Sequence, residues 1–144
     1  MGNKETVIKN RYYFYLFLRK KMASERKKVK QLFKVLCRQQ RMQFPQERKK
    51  LQATTEQGVY IIRKGDIVLH VGRTYRGKKG LYQRLMNHLY GSSSFTNEYL
   101  KGNGAILRKG HTYQFLVVKN ARLRALLEAY ATGTSCPEYI GLGE

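Results

Sequence analysis

Two short β-rich runs around a glycine-containing loop constrain the fold of this chain more than any other feature. The runs, residues 58–63 and 67–72, flank Lys64-Gly65-Asp66, where glycine is able to adopt a left-handed conformation. We expect a hairpin with a three-residue loop, and that register places Tyr60 opposite His70. The same register gathers four apolar side chains on the other face: Val59, Ile61, Leu69 and Val71.

After the hairpin, apolar residues no longer recur at every second position but at spacings of three and four residues, as in a helix. Residues 80–90 form a helical pattern with one stripe of leucines, and Arg84 and His88 lie together on another stripe. Residues 111–118 are typical of a third strand, and a last helix is expected from the capping residue at 120 to about 131. We therefore predict an α/β (α+β) fold with a small three-stranded antiparallel sheet flanked by helices.

The first 50 residues indicate a basic helical arm, with 16 lysines and arginines against 3 acidic residues. Apolar residues at 29, 32, 33 and 36 recur at helical spacing, with cations on the other faces. Residues 4–21 have the length of a helix, but the aromatic cluster at 12–15 suits a strand as well. Pro45 ends the helical region, so we divide the chain into an arm, 1–50, and a domain, 51–144.

The formal net charge of +20 and the pI of about 10.2 indicate a polyanionic partner, and nucleic acid is the first candidate. An anionic membrane surface also attracts such a charge, but no apolar run approaches the roughly 18 residues of a spanning helix. Arg19-Lys20-Lys21 stands where a signal peptide has small residues, and two isolated cysteines suggest neither disulfides nor a zinc site. We expect a cytoplasmic protein with no membrane partner.

The order and spacing of several residues resemble the GIY-YIG nuclease family over about residues 56–140. Gly58-Val59-Tyr60 is similar to the first family motif, and His70-Val71-Gly72 is similar to the second, where the family usually has tyrosine instead of histidine. Arg84 and His88 match two positions of the family helix. The resemblance implies that Tyr60 activates the attacking water with the help of His70, and that Arg84 and His88 grip the scissile phosphate.

The resemblance also implies a metal site and a surface that binds DNA. Glu128, on the helix after the third strand, matches the single metal-ligating glutamate, and one carboxylate with water and phosphate oxygens is able to hold Mg²⁺ or Mn²⁺. An alternative is an exposed glutamate that balances Arg124. The asparagine that the family has about a dozen residues later is missing from this chain. Four cations near the second motif are expected to contact DNA: Arg73, Arg76, Lys78 and Lys79.

These features together predict a divalent-metal-dependent DNA endonuclease, compact like the restriction-type or mobile-element members of the family. In this hypothesis residues 51–144 are a GIY-YIG-like nuclease domain, the arm adds affinity for the phosphate backbone, and the substrate is double-stranded DNA. Two alternatives stay open. One is a catalytically inactive nucleic-acid-binding module, and the other is a structure-specific repair nuclease. The oligomeric state is not determined by the sequence, and a homodimer is expected only if the cut site is palindromic.

Overall fold

The structure, a computed structural model that describes residues 4–142, has mixed helix and sheet and confirms the predicted α/β class. Its helices are α1 (Lys4–Arg38), α2 (Gly80–Leu89) and α3 (Ala121–Ser135). Its strands are β1 (Met42–Gln43), β2 (Gly58–Lys64), β3 (Ile67–Arg73) and β4 (His111–Val117). A π-helical turn (Phe95–Tyr99) and a 3-10 helix (Gly104–Arg108) lie between α2 and β4.

Within residues 4–142 the strands form one antiparallel sheet in the order β1-β4-β2-β3, which is one strand more than the three predicted. The additional strand is β1, where Met42 pairs with Tyr113 and Gln43 pairs with Thr112. Two residues are too few to show an alternation of apolar and polar side chains, so the sequence pattern did not indicate this strand.

The β2–β3 hairpin has a shorter loop than predicted. Lys64 pairs with Ile67, so Gly65 and Asp66 alone form the loop, and Gly65 has a left-handed φ of +57°. Two-residue loops with positive φ match the right-handed twist of paired strands, which favours this turn over a three-residue loop.

A β-bulge then shifts the pairing of the hairpin, so that Tyr60 lies opposite Gly72 and not opposite His70. The predicted cross-strand pair was wrong, although the rings of Tyr60 and His70 are still neighbours, with centroids 5.9 Å apart. The bulge also places Leu69 in the same core cluster as Tyr60, and not with the valines and Ile61 as predicted. Nothing in the alternation of the strand residues marks a bulge in advance.

Both faces of the sheet are covered by apolar side chains. On one face, Tyr60 packs in a cluster with the three leucines of α2 and with Phe95. On the other face, Ile61 packs in a cluster with Leu36 of α1 and Leu127 of α3. The central strand β2 is therefore buried on both sides, and it holds Tyr60 rigidly between the sheet and α2.

Helix α1 is continuous through the aromatic cluster at 12–15, which excludes the strand alternative for that segment. Its last third packs on the sheet and α3, with Val29 and Leu36 buried, whereas the apolar side chains of its first half are exposed. Phe44 follows in the core. The division at residue 50 stays a prediction, and the packing associates residues 29–44 with the sheet. No helix in the described part of the chain is apolar over a length that could cross a membrane.

Candidate active site

A cavity of about 450 Å³ opens between β3, α2, α3 and the segment that follows α3. Four charged or imidazole side chains on β3, α2 and α3 line it, and we call them the cavity wall: His70, Arg73, Arg84 and Glu128. Four further polar residues lie buried behind this lining, and we call them the cavity floor: Tyr60, His88, Ser93 and Thr96. The five residues predicted to be catalytic are thus brought together, three in the wall and two in the floor.

Tyr60 lies at the centre of β2 and is fully buried. Its ring covers Gly72, and any Cβ at that position would collide with the Tyr60 hydroxyl. The second motif therefore requires glycine for a steric reason. Burial raises the pKa of the Tyr60 phenol above its usual value, and the nearby Arg84 charge opposes that rise only in part. Tyr60 consequently keeps its proton at neutral pH.

His88 lies directly behind Tyr60 and is fully buried. Its Nε2 is 2.6 Å from the Tyr60 hydroxyl, and its Nδ1 is 2.7 Å from the Ser93 hydroxyl. Burial, together with His70 and the Arg84 charge, holds the pKa of His88 well below its usual value, so the ring is neutral. Since both nitrogens are engaged, a direct contact with phosphate does not fit this arrangement. A catalytic role for His88 stays a prediction, and it would act through Tyr60.

His70 links the floor to the wall. Its ring stacks on Phe95, with centroids 4.9 Å apart and planes 9° apart, and it lines the cavity. Burial and then the Arg84 charge lower the pKa of His70 to about 4, and the nearby backbone of Tyr139 opposes this shift only in part. Within residues 4–142, its Nδ1 is buried without a hydrogen-bond partner. An unpaired buried nitrogen is costly, so a hydrogen bond from water or substrate to this atom would be favourable.

Arg84 lies on α2 one turn before His88 and is half-buried at the cavity. Its Nε is buried and has no partner among the described residues. A guanidinium is always charged and is able to donate to two phosphate oxygens at once, which makes Arg84 the natural anion-binding group of the wall.

Glu128 points from α3 into the cavity and forms an ion pair with Arg73, with 2.5 Å between Oε2 and Nε. The two side chains are each about one quarter exposed, 27% and 28% respectively. Burial raises the pKa of Glu128, and the Arg73 charge opposes that rise. The alternative pairing with Arg124 does not occur, because the guanidinium of Arg124 is bound to backbone carbonyls.

The residues around Glu128 fit a hydrated divalent cation. A carboxylate is a hard oxygen ligand, the adjoining cavity has room for water ligands, and Arg73 shows that this position already attracts positive charge. Within residues 4–142 no group of three or more His, Cys, Asp or Glu side chains is placed to hold an ion. Any cation at this site would therefore rely on Glu128 together with water and substrate oxygens.

The loop between β3 and α2 carries the predicted DNA-contacting cations Arg76, Lys78 and Lys79, and all three are exposed. The side chain that fixes this loop, Arg124, was not among the predicted site residues. Arg124 is buried and donates hydrogen bonds to four carbonyl oxygens, those of Thr74, Tyr75, Val118 and Lys119. The sequence did contain a signal for this role, because Arg124 lies next to Leu123 on the apolar stripe of the predicted last helix.

Other residues of the site had no signal in the sequence. Ser93 and Thr96 follow α2 in a serine-rich stretch that is typical of a plain loop. The backbone N–H of Tyr139 donates to the carbonyl of Leu69, 2.9 Å away, at the bulge of β3, and this contact closes one side of the cavity. Ile140 lines the cavity about where the family would have its asparagine.

No family model and no curated protein matches the chain. Among solved structures, the chain is similar to the GIY-YIG N-terminal endonuclease domain of UvrC from Thermotoga maritima, in two point mutants that are each bound to the catalytic divalent cation of that domain. In both cases the identity is 25%, the TM-score is 0.48, and the match covers 63% of this chain and 89% of that domain.

Proposed function

We propose that the protein is a divalent-metal-dependent endonuclease of the GIY-YIG type that hydrolyses phosphodiester bonds in DNA. The observation that carries this proposal is the convergence of His70, Arg84 and Glu128 on one cavity, directly above the buried Tyr60. Along the chain these residues follow one another on β2, β3, α2 and α3, which is the order of the family motifs that they resemble. A basic surface alone would not need this buried arrangement of polar groups.

Arg84 binds the scissile phosphate in this proposal. Its fork of donors holds two phosphate oxygens and stabilises the charge that grows on them during attack. Arg76, Lys78 and Lys79 lie outside the cavity and contact neighbouring phosphates of the backbone. These exposed contacts position the DNA and do not read its sequence.

His70 and Tyr60 prepare the attacking water. The oxygen of the water attacks phosphorus, its proton passes to the neutral His70, and the bond from phosphorus to the leaving sugar oxygen breaks; solvent then protonates that oxygen. Tyr60 is covered in the free protein, with the Arg84 charge beside it. We expect Arg84 to turn toward the phosphate, which uncovers the Tyr60 hydroxyl so that it orients the same water.

Glu128 would hold the cation, Mg²⁺ or Mn²⁺, and Arg73 would then leave the carboxylate oxygen that it now contacts. When bound, the cation would supply positive charge that stabilises the negative charge developing on the substrate. Arg73 carries its own charge on β3 at the edge of the same cavity and becomes free to pair with a DNA phosphate.

Incubation of supercoiled plasmid with the protein tests the proposal. We expect nicked or linear product with Mn²⁺ or Mg²⁺ and none with EDTA, and we expect Glu128→Ala to remove cleavage in the same preparation. DNA binding without cleavage in either metal would leave the inactive binding module as the better description. Branched and flap substrates in the same assay distinguish a structure-specific nuclease, which would cut them and spare intact duplex.

The first half of α1 supplies affinity for the DNA backbone. Lys9, Arg11 and Arg19 are among its exposed cations, and this part of the helix lies outside the two core clusters. Deletion of residues 1–20 keeps Val29 and Leu36 in place. We expect it to weaken binding equally for all DNA sequences and to flatten the salt dependence. A changed preference for DNA sequence would show instead that the arm reads bases.

A further inference from the structure

Two small polar residues behind His88 are buried as deeply as the site itself. Ser93 is 3% exposed and Thr96 is 0% exposed. Neither residue lines the cavity, and neither carries a charge. Buried hydroxyls are costly unless their hydrogens and lone pairs are used, so the direction of each hydrogen bond is informative.

The hydrogen of Thr96 has one possible target. The Thr96 hydroxyl lies within hydrogen-bond distance of the backbone carbonyl of His88, and a carbonyl oxygen is only able to accept. The Thr96 hydroxyl therefore donates to that carbonyl. Its oxygen, 3.0 Å from the Ser93 hydroxyl, must then accept the hydrogen of Ser93.

The hydrogen of Ser93 is thereby used, and its oxygen is left as an acceptor only. It accepts from the backbone N–H of Thr96, 3.1 Å away, and it lies 2.7 Å from Nδ1 of His88. Nδ1 must consequently carry a proton. A neutral imidazole with a proton on Nδ1 has an unprotonated Nε2, and that atom faces the Tyr60 hydroxyl at 2.6 Å.

We propose that Ser93 and Thr96 are positioning residues that fix His88 in its Nδ1-protonated tautomer, so that the Tyr60 hydroxyl donates inward to His88 and keeps its oxygen as an acceptor toward the cavity. The tautomer follows from the hydrogen bonds alone, and its effect on catalysis rests on the proposed nuclease function. With the other tautomer, Nε2 would donate to Tyr60, and the phenol hydrogen would point at Arg84, which has only donors to offer.

Two further observations agree with this direction. The pKa of His88 is held well below its usual value by burial, so the doubly protonated ring is disfavoured. The Arg84 guanidinium beside the phenol requires an acceptor, and the Tyr60 oxygen provides one only when its hydrogen points elsewhere. The floor thus behaves as a chain of donors in one direction, from Tyr60 through His88 and Ser93 to Thr96.

Nitrogen-15 NMR of the full-length protein measures the tautomer directly. The chain has three histidines, so the His88 ring is assigned by comparison with His70→Gln and His111→Gln variants. We expect the wild-type His88 signal to show a protonated Nδ1 and an unprotonated Nε2 at neutral pH. A protonated Nε2 in the wild type would overturn the proposal, whatever the protein does to DNA.

The variants Thr96→Val and Ser93→Ala break the chain, and Thr96→Ser keeps its donor. We expect the first two to lose the fixed tautomer and to slow single-turnover cleavage by about 10- to 100-fold with DNA affinity unchanged. This is less than the roughly 10²- to 10⁴-fold that a positioned proton-handling group contributes, because the group itself remains. Thr96→Ser should retain both properties, and so should the exposed neighbour variant Ser92→Ala.

An unchanged tautomer together with full cleavage in Thr96→Val would overturn the positioning role. If Thr96→Val does not fold, Ser93→Ala and the wild-type spectrum still decide the question. If the wild type cleaves no DNA, the proposed nuclease function fails, and the spectra of wild type and variants decide separately whether Ser93 and Thr96 fix the ring.

Discussion

The floor and the wall of the cavity are both polar, but their side chains differ in burial, in charge and in hydrogen bonding. In the floor, every polar group is buried and hydrogen-bonded to another floor residue, and the titratable rings are held neutral. In the wall, Arg73, Arg84 and Glu128 are charged and only partly buried, and Arg84 keeps a donor available for a ligand. The floor therefore belongs to the fold as much as to the site, whereas the wall belongs mainly to the site.

This difference separates the effects expected of substitutions. Removing a floor hydroxyl leaves a buried partner unsatisfied, which lowers stability as well as activity. Removing a wall charge takes away a ligand-binding group that water is able to replace in the free protein, so activity falls with little loss of stability. The following experiments test whether the two effects separate in this way.

The largest effect on cleavage is expected for Glu128→Ala in the wall. If Glu128 is the protein ligand to the cation, its loss should reduce cleavage by about 10³-fold or more, because metal-assisted charge stabilisation contributes several kcal/mol. DNA affinity and the midpoint of urea unfolding should change little. Glu47→Gln, an exposed acidic position outside the cavity lining, is the matched control. Full cleavage by Glu128→Ala at saturating metal would exclude Glu128 as the ligand.

Tyr60→Phe in the floor should affect both properties. The substitution removes the donor to His88 Nε2, and leaving that nitrogen unpaired should cost about 1–3 kcal/mol of unfolding free energy. Cleavage should also fall by about 10²-fold, as expected for a group that orients water.

Tyr113→Phe provides the matched control for Tyr60→Phe. Tyr113 lies on β4 in the same core cluster, and its buried hydroxyl donates to the Gln52 carbonyl at 2.7 Å. This variant should lose similar stability but keep full cleavage. Equal losses of cleavage in the two variants would show that loosening of the core, and not the Tyr60 hydroxyl, limits the reaction.

Acid should destabilise the protein through its histidines before it stops cleavage. The pKa of His70 is lowered to about 4 and that of His88 is also lowered, so between pH 6.5 and about 4 the unfolded chain binds protons that the folded chain does not. Stability should therefore decrease as pH falls, by up to about 1.4 kcal/mol per pH unit for each buried ring.

Denaturant unfolding at pH 7 and at pH 5 measures this effect. In His70→Gln the unfolding free energy should depend less steeply on pH, because one fewer proton is taken up on unfolding. In the same interval, the cleavage rate of the remaining folded protein should stay nearly constant, because His70 is neutral down to about pH 4. A sharp loss of cleavage at pH 6.5 with unchanged stability would mean that His70 titrates as a solvent-exposed ring.

Most of the wall was predictable from the sequence, because wall residues belong to motifs with a fixed order. Arg84 was recognisable by its place on an amphipathic helix, and Glu128 by its place on the helix after the last strand. The elements themselves followed from apolar periods, and α2 and β4 end within one residue of the predicted limits. α3 continues to Ser135, through Gly133, because Cys136 and not the glycine adopts the left-handed conformation that ends the helix.

The floor was predictable only in part, because burial and hydrogen-bond direction depend on tertiary packing. The sequence did not indicate that Tyr60 and His88 are fully buried, since an alternating strand and a two-sided helix do not tell which face a second layer covers. The hairpin register failed for a related reason. The two-residue loop and the bulge are features of the local backbone. They leave the alternation of apolar and polar residues nearly unchanged, so that alternation does not reveal them.

The smallest effect is expected for Lys78→Gln, on the exposed loop outside the wall. If Lys78 contacts a DNA phosphate, the slope of log affinity against log salt should decrease by about one, and affinity at moderate salt should fall a few-fold for every DNA sequence alike. Stability should change by less than about 0.5 kcal/mol, as for most exposed positions. Lys109→Gln makes the same change in net charge next to β4, at the hairpin end of the sheet, and should leave the slope unchanged. Equal slopes for the two variants would mean that net charge alone attracts DNA, and that the loop beside the wall has no special place in the interface.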